Sequence, residues 1–167
     1  MTKDAPKNSK QHTIYKLKDG TRVPGVTTIL GVLNKPALVP WANNLGLQGI
    51  KVREYVDDKA AIGTLAHQMI ADHLRKQDTD TSDYTAKQID QAENSVLSYL
   101  EWEKRKSIVV IFVETPYISE FYRYGGTIDC LAWIDGSLTL LDFKTGKAIY
   151  PEMIAQLAAY EQLIDEN

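Results

Sequence analysis

Asp142 and Lys144 stand two residues apart at the end of the apolar run that begins at Leu138. A β-strand sends residues i and i+2 to one face, so the carboxylate and the ammonium would sit side by side while Leu141 and Phe143 turn toward a core. Such a pair is either a surface ion pair or, with a second carboxylate beside it, one corner of a place that holds a divalent metal and activates water. Asp129 is the second carboxylate. Asp135-Gly136 reads as a tight turn, and strand pairing about it sets Asp129 opposite Asp142, with Cβ atoms about 5 Å apart. Like charges at that separation are unfavourable unless a cation lies between them, and hard oxygen ligands suit Mg²⁺ or Mn²⁺. The plainer reading has Asp129 capping a turn or pairing with Lys144.

Other residues add to this corner. Lys144 could orient a nucleophile and stabilise charge on phosphate oxygens, and the Phe143 backbone carbonyl is a further possible oxygen ligand. His67 lies one helical turn from Gly63 on the same face. Glycine inside a helix costs about 1 kcal/mol against alanine, so Gly63 invites a reason, such as close approach of a backbone or a nucleic-acid strand. The His67 imidazole could ligate a metal or be a satisfied, half-buried side chain. Gln156 and Tyr160, at i and i+4 with Met153 on the same side, could bond phosphate or base edges and stack on a base, or pack across a sheet. Glu114 is a third carboxylate or a strand-edge charge. His12 and His73 have no comparable setting.

The elements that must position these residues fall in the order helices, strand meander, helix. Thr13 to Val23 reads as a hairpin turning at Lys18-Asp19-Gly20. Val26 to Leu33 opens a short helix with Thr27 or Thr28 near its cap. Pro36 and Pro40 break the chain around Ala37-Leu38-Val39, and Trp41 begins another helical stretch. From Asp57 to Arg75 the residues Ile62, Leu65, Ala66, Met69, Ile70 and Leu74 form a helical apolar stripe. A polar loop, Gln77 to Asp83, leads to a second long helix from Tyr84 to Lys106, capped by Ser82 or Asp83. Its buried face is Ile89, Ala92, Val96, Tyr99 and Leu100. Strands are expected at Ile108–Glu114, Thr127–Ile134 and Leu138–Lys144, and a last helix starts at Pro151.

The 167 residues fit one domain at 13–167 behind a flexible polar tail at 1–12. A net charge of −3 argues against broad basic-patch binding of nucleic acid. One cysteine, Cys130, excludes an intramolecular disulfide and an all-cysteine metal site within the chain. No apolar run suggests a secretory signal or a membrane span, and a cytoplasmic setting is the default. The chain stops soon after Tyr160, and so thin a sheet leads to the expectation that the intact fold continues further.

In order along the chain, Gly63-Thr64-x-x-His67, Gly126-x-x-Asp129, Asp142-x-Lys144-Thr145-Gly146 and Gln156-x-x-x-Tyr160 resemble the RecB-like branch of the PD-(D/E)xK nuclease superfamily. The match spans roughly residues 60–162. Val26-Thr27-Thr28-Ile29-Leu30 followed by Trp41 also resembles the lead-in of phage and prokaryotic exonucleases of that branch. The resemblance implies an α/β protein in α+β order. Its restriction-endonuclease-like core would be a small mixed sheet with an antiparallel meander, flanked by helices and preceded by a helical lead-in. It implies hydrolysis of DNA phosphodiesters with one or two Mg²⁺ or Mn²⁺ ions, in recombination, repair or phage DNA processing. An exonuclease is favoured over an endonuclease, in a bacterial or phage-infected cell. Carried over by position, Asp129, Asp142, the Phe143 carbonyl and His67 hold metal, and Lys144 positions the attacking water. Gln156 and Tyr160 engage the DNA strand, with Gly63 and Thr145 beside it, and Glu114 matches loosely. Lys35, Lys51, Arg53, Arg123 and Lys147 could line the strand's path. The iron–sulphur cluster of some relatives cannot be built with Cys130 alone. The alternative is a catalytically silent nuclease fold that binds DNA or a recombination partner protein.

Overall fold

A computed structural model describes residues 13–33, 35–146 and 148–167. The N-terminal tail expected at 1–12 lies outside these residues. The described part is mixed α/β, with five helices and two small antiparallel sheets.

The chain opens with the expected hairpin, β1 (Tyr15–Lys16) against β2 (Arg22–Val23). Its turn needs Gly20, whose φ of 86° is open to glycine without strain. Helix α1 (Val26–Leu30) starts two residues earlier than a Thr27 cap would allow: Gly25 is the N-cap, and Thr27 and Thr28 lie inside the helix. Helix α2 (Leu38–Leu47) carries Pro40 as its third residue instead of being broken by it. The first-turn N–H groups of a helix have no intrahelical partner, so proline removes nothing there.

Helix α3 (Val52–Arg75) extends five residues further toward the N-terminus than the apolar stripe alone indicated. The stripe is buried as expected, through Ile62, Leu65, Ala66 and Ile70. It packs on α4 (Ala86–Glu103) through Ala92, Ile89 and Val96. The α4 cap is Thr85, not Ser82 or Asp83. Its hydroxyl accepts from Gln88 N while the Gln88 side chain accepts from Thr85 N, a reciprocal capping box.

Strands β3 (Ile108–Ser119), β4 (Tyr124–Ile134) and β5 (Ser137–Leu141) form the expected meander. The sheet is antiparallel throughout and not mixed. Parallel pairing among the described residues is confined to a single bridge, Gly25 with Gly125. The β4–β5 turn has positive φ at both Asp135 (51°) and Gly136 (84°), which matches the twist of a two-residue hairpin. Cys130 pairs with Leu141, so the next position outward is Asp129 facing Asp142, the register read from the turn.

Helix α5 (Pro151–Glu166) follows, with Pro151 at its start. Two clusters bury the sheet: Ile128 packs with Tyr160 and Leu163 of α5 and Val26 of α1, while Cys130, Ala132 and Ile134 pack with Leu74 of α3 and Trp102 of α4. No helix among the described residues is long and apolar enough to cross a membrane.

Candidate metal centre

Strand β5 ends at Leu141, three residues short of expectation, and its ending builds the site. The N–H of Phe143 would continue the ladder on a backbone carbonyl, but it donates instead to Asp129 Oδ2 at 2.8 Å. The chain from Asp142 onward is thereby tied to a carboxylate of β4 and leaves the sheet. Phe143 still turns inward as expected, edge-on to Tyr99 at 5.3 Å and to His67 at 6.1 Å. Asp142 and Lys144 lie side by side and form an ion pair. The Asp142 side chain is 4% exposed. Burial is the main reason its carboxyl titrates above the ordinary carboxylate range; Asp129 adds to the rise, and the Lys144 and His67 charges oppose it.

His67 reaches this corner from α3, with Nδ1 3.4 Å from Asp129 Oδ2. Glu114 completes the group: His67, Glu114 and Asp129 each bring a ligand atom within 4.8 Å of the others, the one such group of histidine, cysteine and acidic side chains among the described residues. Sequence reasoning ranked Glu114 last of these, and its backbone explains why it converges. Glu114 lies between Val113, paired with Cys130, and Thr115, paired with Ile128, so it stands across from Asp129. Its φ is 50°, an unfavourable value for a residue with a Cβ and one that clusters at functional positions. On the other strand, Ile128 packs against α5 and Cys130 against α3 and α4, although residues two apart should share a face. The regular alternation breaks at Asp129, opposite Glu114. Burial, followed by the Asp129 charge, pushes the neighbouring Cys130 thiol up to about 11.

Gln156 and Tyr160 support this corner from α5. Gln156 Nε2 donates to Asp142 Oδ1 at 3.1 Å and to the Tyr160 hydroxyl at 2.8 Å. Tyr160 is 5% exposed, and a Cβ at Gly126 would come within 2.5 Å of its ring. The ring that was expected to stack on a base thus lies against the strand, and the amide is directed at Asp142. Tyr15 does the matching job at Gly125, a role that sequence reasoning missed. A Cβ there would collide with the Tyr15 ring, whose hydroxyl is 2.9 Å from Thr127 Oγ1. The signal was the glycine pair inside a strand, which marks close approach.

Gly63 and Thr145 are brought together: a Cβ on Gly63 would lie 3.4 Å from Thr145 Oγ1. That contact is with a side chain and is of ordinary van der Waals length, so the close backbone approach expected at this helical glycine is not seen. The expected basic path is largely self-paired. Lys35 bonds Glu152 at 3.1 Å, Lys51 bonds Glu54 at 2.7 Å, and Arg53 lies 3.8 Å from Asp57. Lys147 lies outside the described residues.

The donor set suits a hard divalent ion: one imidazole nitrogen and two carboxylates converge, with a third carboxylate adjacent. Glu114 and Asp129 carry like charges at this spacing, which a cation between them would offset. No protein-family model matches the chain, and no curated protein matches it.

Proposed function

We propose that this chain is a Mg²⁺- or Mn²⁺-dependent deoxyribonuclease with a restriction-endonuclease-like core. It would act on DNA ends as an exonuclease in recombination, repair or phage DNA processing. The observation that carries this reading is the convergence of His67, Glu114 and Asp129 beside the ion pair of the buried Asp142 side chain with exposed Lys144. His67, Glu114 and Asp129 would hold an ion, with Asp142 and the Phe143 carbonyl completing the set from the β5 side. When bound, the ion would activate water and neutralise charge on the phosphate.

The remaining work falls to the chain's own groups. Lys144 is the ammonium placed to hold a phosphate oxygen and orient the attacking water. Gln156 fixes the Asp142 carboxylate, and Tyr160 fixes Gln156. Tyr160 in turn is held by its contact with Gly126.

Digestion of end-labelled single- and double-stranded DNA tests the reading, with circles and blocked ends as controls. Degradation in Mg²⁺ or Mn²⁺ that stops with EDTA is expected, with circles spared. A parent protein that leaves every substrate intact in both metals overturns it. So do Asp142→Asn and Lys144→Gln variants that cleave at the parent rate.

A further inference from the structure

The corner at Asp142 and Lys144 opens onto a hollow of about 380 Å³. Its opposite wall is aliphatic, built from Ile149 and from Met153, Ile154 and Leu157 of α5. Ile149 is 77% exposed and Ile154 57% exposed. Covering such area is favourable by about 25 cal/mol per Å², so this wall favours a ligand that brings an apolar face to the charged corner. Among the described lining residues, the polar side chains are Asp142 and Lys144 alone. The hollow therefore presents the more exposed Lys144 ammonium, ion-paired with the buried Asp142 carboxylate, at one end and aliphatic side chains at the other.

We propose that this hollow is a nucleotide subsite, taking the sugar and base of one nucleotide next to the phosphate at Lys144. The proposal rests on the nuclease reading and deepens it. An anion joined to a body with a flat apolar face matches the polarity of the hollow end for end, the polar base edges staying toward solvent. Its volume is at the small end of the range for ligand sites, which suits a single nucleoside and not a base pair, so the flanking nucleotide enters unpaired. Reading a base requires hydrogen-bond partners for its edges. The described aliphatic side chains of the wall offer none, so their contact with a base face carries affinity without sequence preference.

The test uses the whole chain and end-labelled single-stranded DNA carrying a tetrahydrofuran abasic unit on one or the other side of the cleaved phosphate. In the parent, the abasic unit on one side lowers kcat/KM about tenfold, the order expected for loss of one base contact, and the unit on the other side does not. Exchanging the base at that position changes the rate less than about twofold. The double variant I149S/I154S alters two exposed side chains and folds as the parent does by circular dichroism. It cleaves normal DNA with KM raised toward the parent's abasic value, and the abasic unit costs it nothing more. If the parent cleaves normal and abasic DNA equally, or if the variant loses the same factor on both, the subsite is wrong while the nuclease reading stands. If the parent cleaves no DNA, both fall together.

Discussion

Helix α3 borders two acidic clusters, and only one has the character of a reactive site. On one flank His67 meets Glu114 and Asp129. On another, Gln68 and Asp72 line a hollow of about 380 Å³ together with Asp78, Asp80 and Asp83. The second cluster holds more carboxylates, yet they do not converge as the first group does. Asp80 accepts the Ser82 N–H at 2.9 Å, and that bond holds its carboxyl below the ordinary range. Asp72 accepts from Gln68 at 2.7 Å, with Arg75 at 3.9 Å. Beside the first cluster the balance runs the other way: the Asp142 side chain is buried and its ionised form is disfavoured despite Lys144. A count of acids does not mark a site. Convergence beside a buried carboxyl whose ionised form is disfavoured does, because a bound cation can offset that cost.

The sharpest way to break this comparison is to neutralise each cluster in turn. Asp129→Asn or Asp142→Asn is expected to lower DNA cleavage by about 10³-fold or more, measured as single-turnover rate in saturating Mn²⁺. Asp78→Asn combined with Asp80→Asn should stay within about twofold of the parent, as surface changes away from a site do. Equal losses from both clusters would erase the distinction. The next effect is smaller. Gln156→Ala removes the donor that orients Asp142 and is expected to cost about 10- to 100-fold in metal affinity or rate, the usual range for residues that position a ligand. A Mn²⁺ titration read by calorimetry, alongside cleavage at each metal concentration, separates affinity from turnover.

The backbone supports that orientation, and a third prediction reaches it from β4. Gly126→Ala places a methyl group against the Tyr160 ring. Such overpacking costs about 1–3 kcal/mol, visible as a lower urea midpoint. Cleavage should fall with it through displacement of Tyr160 and Gln156. Gly63→Ala is the milder control, since its methyl group would stand 3.4 Å from the Thr145 hydroxyl. A Gly126→Ala protein as stable as the Gly63→Ala protein would show that Tyr160 is not held by this contact.

Much of this arrangement was legible in the sequence because it is periodic or local. The 3.6-residue stripe located the core of α3, the Asp135-Gly136 turn set the β4–β5 register, and the i, i+2 spacing paired Asp142 with Lys144. What escaped notice depends on contacts distant in sequence. β5 ends early because Asp129 captures the Phe143 N–H. Glu114 enters the group through a positive φ that no pattern of side chains announces. Tyr15 reaches Gly125 from more than a hundred residues away. The α4 cap was different: Thr85-x-x-Gln88 carries the capping-box signature openly, and nearer polar residues drew the boundary elsewhere.

The smallest effect is also the one that tests the comparison by sign. Asp142 has a raised carboxyl pKa in the folded protein. The folded state thus holds the proton more tightly than the unfolded chain, and stability falls as pH climbs from the unfolded value near 3.8 through the raised folded value. Above that window the penalty is complete, so Asp142→Asn should raise the Tm of the metal-free protein at pH 7 and flatten its change with pH across the window. Asp80 has a lowered pKa. Its contribution is favourable above 3.8 and disappears as pH falls through the folded value. Asp80→Ala should therefore lower the Tm slightly at pH 7 and leave it unchanged in strong acid. Thermal melts of both variants in EDTA between pH 3 and pH 8 decide the matter. Shifts of the same sign at pH 7 would mean that Asp142 and Asp80 are electrostatically alike and that Asp142 carries no stored cost for an ion to relieve.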